Sequence, residues 1–338
     1  MTFTKYQYAL VDMSYILMRN LFAASAGKKI GEYRAADVER ITIQTLNKVS
    51  RDYGITASKV IFLYDRWDKE LGGYFRTHIL KGDYKSTRVY INEEEVEKMR
   101  QDPTVTPEKL AQAELEAYRN RVRYEAKWSM VREFKNIGIP CAGVEGWEFD
   151  DFAWLASCLL YNEDPSVKPS IIITKDSDLQ YSLTPKMDYF KLPTKGSAPK
   201  VITYNEMYYT IPEYLRGSLT LYQYKSYLDS LGEGHNDMTK TLRPGADPNL
   251  AIKKILEGDY SDVTDREVFD RQMLSFDISK FPRFDKVKSI IENDFDKMGK
   301  LGTVEDFRNY CNRRGVSQIS DNYYREFISR FDPTLFKG

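Results

Sequence analysis

The sequence predicts an α/β fold: a central, mostly parallel sheet flanked by helices, followed by a helical C-terminal part. Three observations predict it. The apolar runs at 8–11, 60–64 and 170–174 are short and bounded by polar residues, as buried strands are. Segments of helical period lie between them, and strands alternating with helices build a parallel sheet. After about residue 205 the strand signals fade while helical ones continue.

The first run ends in Asp12, and a helical pattern follows over 14–24. A second helix is predicted over 35–53, where Ile, Leu and Val recur every three or four residues. The second run ends in Asp65, and the stretch 74–88 beyond it is basic and aromatic. Residues 91–124 are highly charged and interrupted at Pro103 and Pro107, which predicts two exposed helices joined by a loop. A helix over 127–136 is closed by Gly138 and Pro140 before a short strand near 141–144. Glu148, Asp150 and Asp151 then open an apolar helix that contains Trp154, Leu155, Leu159 and Leu160. The run 170–174 leads straight into Asp176 and Asp178. Further helices are predicted at 214–229, 249–257, 265–274, 284–298 and 304–314. The composition shift divides the chain into 1–204 and 205–338, and there is no internal repeat.

Composition narrows the function. The chain has 338 residues, 50 Lys and Arg against 50 Asp and Glu, and 30% charged residues beside 42% hydrophobic ones. That balance excludes a disordered chain, and a length of this order buries a full core without staples. Cys141, Cys158 and Cys311 are odd in number and widely spaced, which argues against a disulfide framework or a Cys-x-x-Cys zinc site. With His78 and His235 as the two histidines, neither a His-rich metal site nor a Ser-His-Asp or Cys-His arrangement is expected. The N-terminal residues lack a basic region and a long apolar run, so no signal peptide is expected. The apolar stretch 152–161 is too short to cross a bilayer. A cytoplasmic protein is expected (host cytoplasm if viral), without membrane association. Zero net charge does not exclude nucleic acid, because binding is local, and 25 tyrosines suit base stacking.

The acids carry the chemistry. Asp12, Asp65 and Asp176 follow the C-terminal ends of buried strands, where open α/β sheets place their ligands. Glu148, Asp150, Asp151 and Asp178 are expected at the same edge. So many carboxylates repel one another unless hard cations with oxygen ligands neutralise them, and Mg²⁺ or Mn²⁺ fit that description. The chemistry that uses such a cluster is phosphodiester hydrolysis assisted by two metal ions. A plainer reading exists for each acid alone, since Glu148, Asp150 and Asp151 also suit a helix N-terminus.

Four segments, in order, resemble the motifs of the flap endonuclease family of 5′-nucleases. Asp12-Met-Ser-Tyr-Ile-Leu-Met-Arg19 resembles its opening Asp-Gly-Ser-x-Leu-x-x-Arg segment. Phe75-Arg76 with Tyr84-Lys85-Ser-Thr-Arg88 resembles its Phe-Arg…Tyr-Lys-x-x-Arg segment. Glu148-Phe-Asp150-Asp151 resembles Glu-Ala-Asp-Asp, and Thr174-Lys-Asp176-Ser-Asp178-Leu-Gln180 resembles Thr-x-Asp-x-Asp-x-x-Gln. The match spans roughly residues 6 to 260 and is nearest to the bacteriophage ribonuclease H branch.

The resemblance implies a PIN/FEN-like nuclease domain over 1–204, with a helical arch at about 85–127. It also implies a helical DNA-binding domain over 205–338. It implies 5′-to-3′ exonuclease and flap endonuclease activity on DNA and on RNA–DNA hybrids, serving removal of RNA primers from lagging-strand fragments. It implies two Mg²⁺ ions, for which Mn²⁺ would substitute. Their ligands or supports would be Asp12, Asp65, Glu148, Asp150, Asp151, Asp176 and Asp178. Asp12, Asp65 and Asp176 would be catalytic. It further implies as partners a flapped, nicked or forked duplex, and a single-stranded-DNA-binding protein, with the chain monomeric.

One motif departs from the family. Where the family has Gly-Asp-x-x-Asp-Asn to complete the second metal site, this chain has Gly232-Glu233-Gly-His235-Asn236-Asp237. Glu233 matches the first acid with one more methylene, the second is displaced to Asp237, and which of Glu233, Asn236 and Asp237 completes the site stays open. The helix-hairpin-helix glycines that follow are reduced to one, in Arg243-Pro244-Gly245-Ala246-Asp247, which makes a potassium site there doubtful.

Candidate nucleic-acid contacts are the basic residues interleaved with rings. Arg76, Lys81, Tyr84, Lys85 and Arg88 suit a frayed 5′ end, with cations on phosphate and a ring on a base. Lys85 and Arg88 match family residues that reach the scissile phosphate, and are expected to stabilise the transition state. Arg119 and Arg123 share a helix face that would line a passage for single-stranded DNA. Lys253 and Lys254 are placed to meet duplex phosphates. Trp147, Trp154, Met13 and Met18 are expected in the core. Two other readings remain: a PIN-type ribonuclease, and a non-catalytic DNA-junction binding protein descended from the nuclease.

Overall fold

A computed structural model describes residues 4–80, 91–193, 198–233, 238–295 and 304–315. Lys81, Tyr84, Lys85, Arg88, His235, Asn236 and Asp237 lie outside the described residues. Six strands form a mixed, mostly parallel sheet, so the α/β expectation holds. The chain divides into two compact units, one of residues 1–62, 89–142 and 296–338, the other of 63–88 and 143–295.

In the first unit the strands run in the order β3-β2-β1, with β1 Thr4–Asp12, β2 Ile55–Leu63 and β3 Cys141–Ala142. Its helices are α1 Met13–Ser25, α2 Ala35–Tyr53, α4 Glu93–Gln101, α5 Pro107–Asn136 and α12 Val304–Arg313. Ala9, Leu10 and Val11 are fully buried, as a strand covered on both faces requires. Asp12 ends β1 and caps α1, its Oδ1 accepting from the Tyr15 N–H at 2.9 Å. Helix α1 packs on α2 and α5 through Ile16, Leu17 and Leu21, all buried. Helix α5 is continuous for 30 residues: Thr106 caps it, Pro107 starts it, and no break separates 107–124 from 127–136. The α4–α5 pair has its own small core of Val96, Ala113 and Ala117.

In the second unit β4 Ser170–Thr174 pairs parallel with β5 Met187–Lys191, and β5 pairs antiparallel with β6 Lys200–Ile202. Its helices are α3 Phe75–Ile79, α6 Phe149–Leu159, α7 Tyr204–Tyr208, α8 Leu221–Ser230, α9 Pro248–Leu256, α10 Arg266–Leu274 and α11 Phe284–Ser289. All five residues of β4 are buried. The approach to α6 depends on Gly146, whose φ is +83°, and a Cβ there would lie 2.5 Å from the Phe75 ring. Trp147 is buried as expected, donating from Nε1 to the Pro282 carbonyl at 2.9 Å beside Phe281. Trp154 is half-buried rather than in the core, with one face covered by the ring of Tyr222 in α8, 4.3 Å between centroids. Met18 is likewise half-buried, while Met13 is buried. Among the described residues no helix is long and apolar enough to cross a membrane.

Candidate active site

Asp65, Glu148, Asp150, Asp151, Asp176, Asp178 and Glu233 lie in the second unit, and its contacts show what holds each of them. Asp65 follows β2, and its Oδ1 accepts from the Phe149 N–H at 2.7 Å. Phe149 is the first residue of α6, and the helix's own N-cap, Glu148, makes no side-chain capping bond. A residue 84 positions earlier therefore satisfies the helix start, and Asp65 is fixed beside Glu148, Asp150 and Asp151. The N-terminal end of the helix dipole also favours the negative charge collected there.

Asp176 follows β4 and caps the 3₁₀ turn Ser177–Ser182, its Oδ1 accepting from the Asp178 N–H at 3.1 Å. Its own N–H donates to Thr174 Oγ1 at 3.2 Å, and its carbonyl accepts from the Tyr189 hydroxyl at 3.0 Å. That turn packs against both α6 and α8. Asp12, Asp65 and Asp176 thus share one local design: each ends a strand or follows it by two residues, and spends a carboxylate oxygen on a helical N-terminus. The cap restricts the side chain's rotation, which is how a site on a loop is preorganised.

Two of the acids are engaged by protein cations. Asp151 is buried and ion-pairs with Arg76, itself 6% exposed. The Arg76 guanidinium also lies over the Phe276 ring, 5.1 Å from its centroid. Asp178 sits 3.6 Å from the Lys225 ammonium of α8, which also hydrogen-bonds Asp229 one turn further on. Burial pushes the Asp229 carboxyl up, against the pull of Lys225. Burial likewise raises the Tyr222 hydroxyl, opposed by Arg76. Lys225 and Asp229 are the site residues that sequence reading missed: an i,i+4 pair inside an ordinary helix becomes notable only when Asp178 approaches it.

The remaining candidates are placed as follows. Glu233 ion-pairs with Lys240 at 2.8 Å. Lys254 bonds Asp262 at 2.8 Å, and Arg243 bonds the same carboxylate at 2.7 Å. Lys253 is exposed and 4.0 Å from Glu257. In the first unit Arg119 lies over Phe22 and Arg123 contacts the Met18 sulfur, so both face α1. His78 is exposed.

A divalent cation needs converging oxygens. The donors are of the right kind, hard carboxylates at strand and helix ends. Among the described residues, however, no three His, Cys, Asp or Glu side chains already converge to hold an ion. Asp65, Glu148, Asp150 and Asp176 offer carboxylate oxygens of the kind a hard cation takes. A second ion is fitted poorly, because Glu233, the described acid of the second-metal motif, and Asp178 are already paired with lysines.

No protein-family model and no curated protein sequence matches the chain. Several solved structures are similar to it. A bacteriophage T5 flap endonuclease complex with DNA and metal ions is 16% identical, with a TM-score of 0.48 over 96% of this chain and 99% of that one. The catalytic core of Rad2 in complex with DNA substrate is 12% identical, with a TM-score of 0.46 over 99% and 93%. Human GEN1 in complex with Holliday junction DNA is 12% identical, with a TM-score of 0.47 over 96% and 71%.

Proposed function

We propose that the chain is a divalent-metal-dependent 5′-nuclease, an exonuclease and flap endonuclease acting on DNA and RNA–DNA hybrids. The observation that carries this is the bond from the Phe149 N–H to Asp65, which joins the acid ending the second strand to the acids opening α6. The order of the four sequence motifs supports the same reading. Asp65, Glu148, Asp150 and Asp176 would hold the cation. Mg²⁺ is the natural ion and Mn²⁺ its substitute. When bound, it supplies Lewis-acid neutralisation of the phosphodiester.

The chain's own residues do the rest. The capped aspartates hold their carboxylates in fixed orientations. Arg76 holds Asp151 and with it the first turn of α6. Lys85 and Arg88 are assigned to the scissile phosphate, as stabilisers of charge that builds in the transition state. Lys81, Tyr84 and Lys253 are assigned to the nucleic acid; Arg119 and Arg123 are assigned with them and must leave their contacts with Phe22 and Met18 of α1 to take part. Lys254 is assigned with them, and it must exchange Asp262 for phosphate to take part. Primer removal, a single-stranded-DNA-binding partner and a monomeric state belong to this reading.

Polarity tests it. A duplex with a 5′ flap is expected to be cut near the flap junction, and the same duplex with a 3′ flap to be left intact. Equal cutting of both would reject a 5′-nuclease in favour of a PIN-type or unspecific one. A second reading, the non-catalytic junction-binding descendant, is favoured by the lysines and arginine that already occupy Asp151, Asp178 and Glu233. It predicts binding to both flaps and cleavage of neither.

A further inference from the structure

Lys225 lies inside α8 with its side chain 11% exposed, and its ammonium stands between two carboxylates of different origin. Asp178 comes from the turn after β4, and Asp229 from the next turn of α8. Nζ is 3.6 Å from Asp178 Oδ1, hydrogen-bonds Asp229, and lies 6.0 Å from the Tyr181 ring centroid. A fully exposed lysine pair would be worth little, but this ammonium is 11% exposed and its partner Asp229 14%, with Asp178 at 36% on the open side. An ammonium so placed supplies the positive charge that Asp178 would otherwise take from a metal. Its Nζ stands 3.6 Å from an Asp178 oxygen that Mg²⁺ would need at roughly 2.0–2.1 Å in near-octahedral array.

A separate observation points the same way. Glu233, the acid matching the first position of the altered second-metal motif, is held by Lys240 at 2.8 Å. Lysines therefore pair with two of the acids that the sequence offers to metal, Asp178 and Glu233, the second in a largely exposed pair. We propose that Lys225 is a built-in cation that replaces the second metal ion, so that the site takes one divalent ion, not two. This rests on the metal-dependent reading above. Lys225 is a positioning residue: it holds Asp178 and Asp229 and touches no reacting atom.

The test is the number of Mn²⁺ ions bound by the full chain, counted by electron paramagnetic resonance of the unbound ion. One ion per chain is expected. For Lys225→Met, which keeps the length and removes the charge, two are expected, because Asp178 and Asp229 then recruit a cation. Lys225→Arg keeps the charge and is expected to bind one. Two ions on the unaltered chain would overturn the inference and leave the nuclease reading intact. No ion on the unaltered chain would overturn both. A folded Lys225→Met that still binds one would also overturn the inference. If Lys225→Met fails to fold, the counts on the unaltered chain and on Lys225→Arg decide the matter.

Discussion

Arg76→Ala is expected to destabilise the fold by about 3–5 kcal/mol, the cost of leaving a buried charge without its partner. Arg76 and Asp151 are 7% and 1% exposed at their side chains, so water cannot replace the missing guanidinium. The stack of Arg76 on Phe276 is lost as well. A typical domain has about 5–15 kcal/mol in hand, so the loss takes a large share of it. The urea midpoint of unfolding is the measurement, and it should fall steeply with the slope unchanged. Arg76→Lys is expected to recover only part, because an ammonium cannot copy the planar fork. Arg76→Met combined with Asp151→Leu is expected to recover most of the stability, since a buried pair replaced by apolar groups is often neutral. A midpoint unmoved in Arg76→Ala would mean that Asp151 has no need of its arginine.

Asp176→Asn is expected to lower cleavage on the order of 10³-fold while leaving the melting temperature nearly unchanged. The two readouts separate because Asp176 has two roles. As a cap it accepts from the Asp178 N–H, and an asparagine oxygen accepts equally well. As a metal ligand it offers negative charge, which asparagine lacks. Lewis-acid stabilisation by a bound ion is worth several kcal/mol, and each ~1.4 kcal/mol is tenfold in rate. Loss of both fold and activity would reduce Asp176 to a cap. Retained activity would remove it from the site.

The sequence made the sheet edge legible and left its wiring hidden. The end of β1, the end of β2, and β4 announce themselves as short apolar runs with an aspartate at or just beyond their ends. β5 and β6 do not, because Met187–Lys191 and Lys200–Ile202 are short and of mixed composition, and neighbours rather than propensity make them strands. The prolines rightly separate α4 from α5, yet nothing in 124–127 breaks α5, and it runs on to Asn136.

The acids are legible from their positions at strand ends, but what each one touches is not. That Asp65 caps a helix 84 residues away is a tertiary fact. So is the lysine between Asp178 and Asp229. Trp154 reads as core from its apolar helix, and the stack on Tyr222 is set by a second helix the pattern cannot place. Arg119 and Arg123 share a face, as their spacing predicts, and that face turns out to lie on α1.

The central claim is that these carboxylates bind a divalent cation and cut a phosphodiester near a 5′ end. Its most direct test is a 5′-labelled flapped duplex incubated with the chain in Mg²⁺ and, separately, in EDTA. Short labelled products in Mg²⁺ and none in EDTA are the predicted result. Uncut substrate in Mg²⁺ and in Mn²⁺, with the duplex nevertheless bound, would contradict it and leave a junction-binding protein built on a nuclease fold.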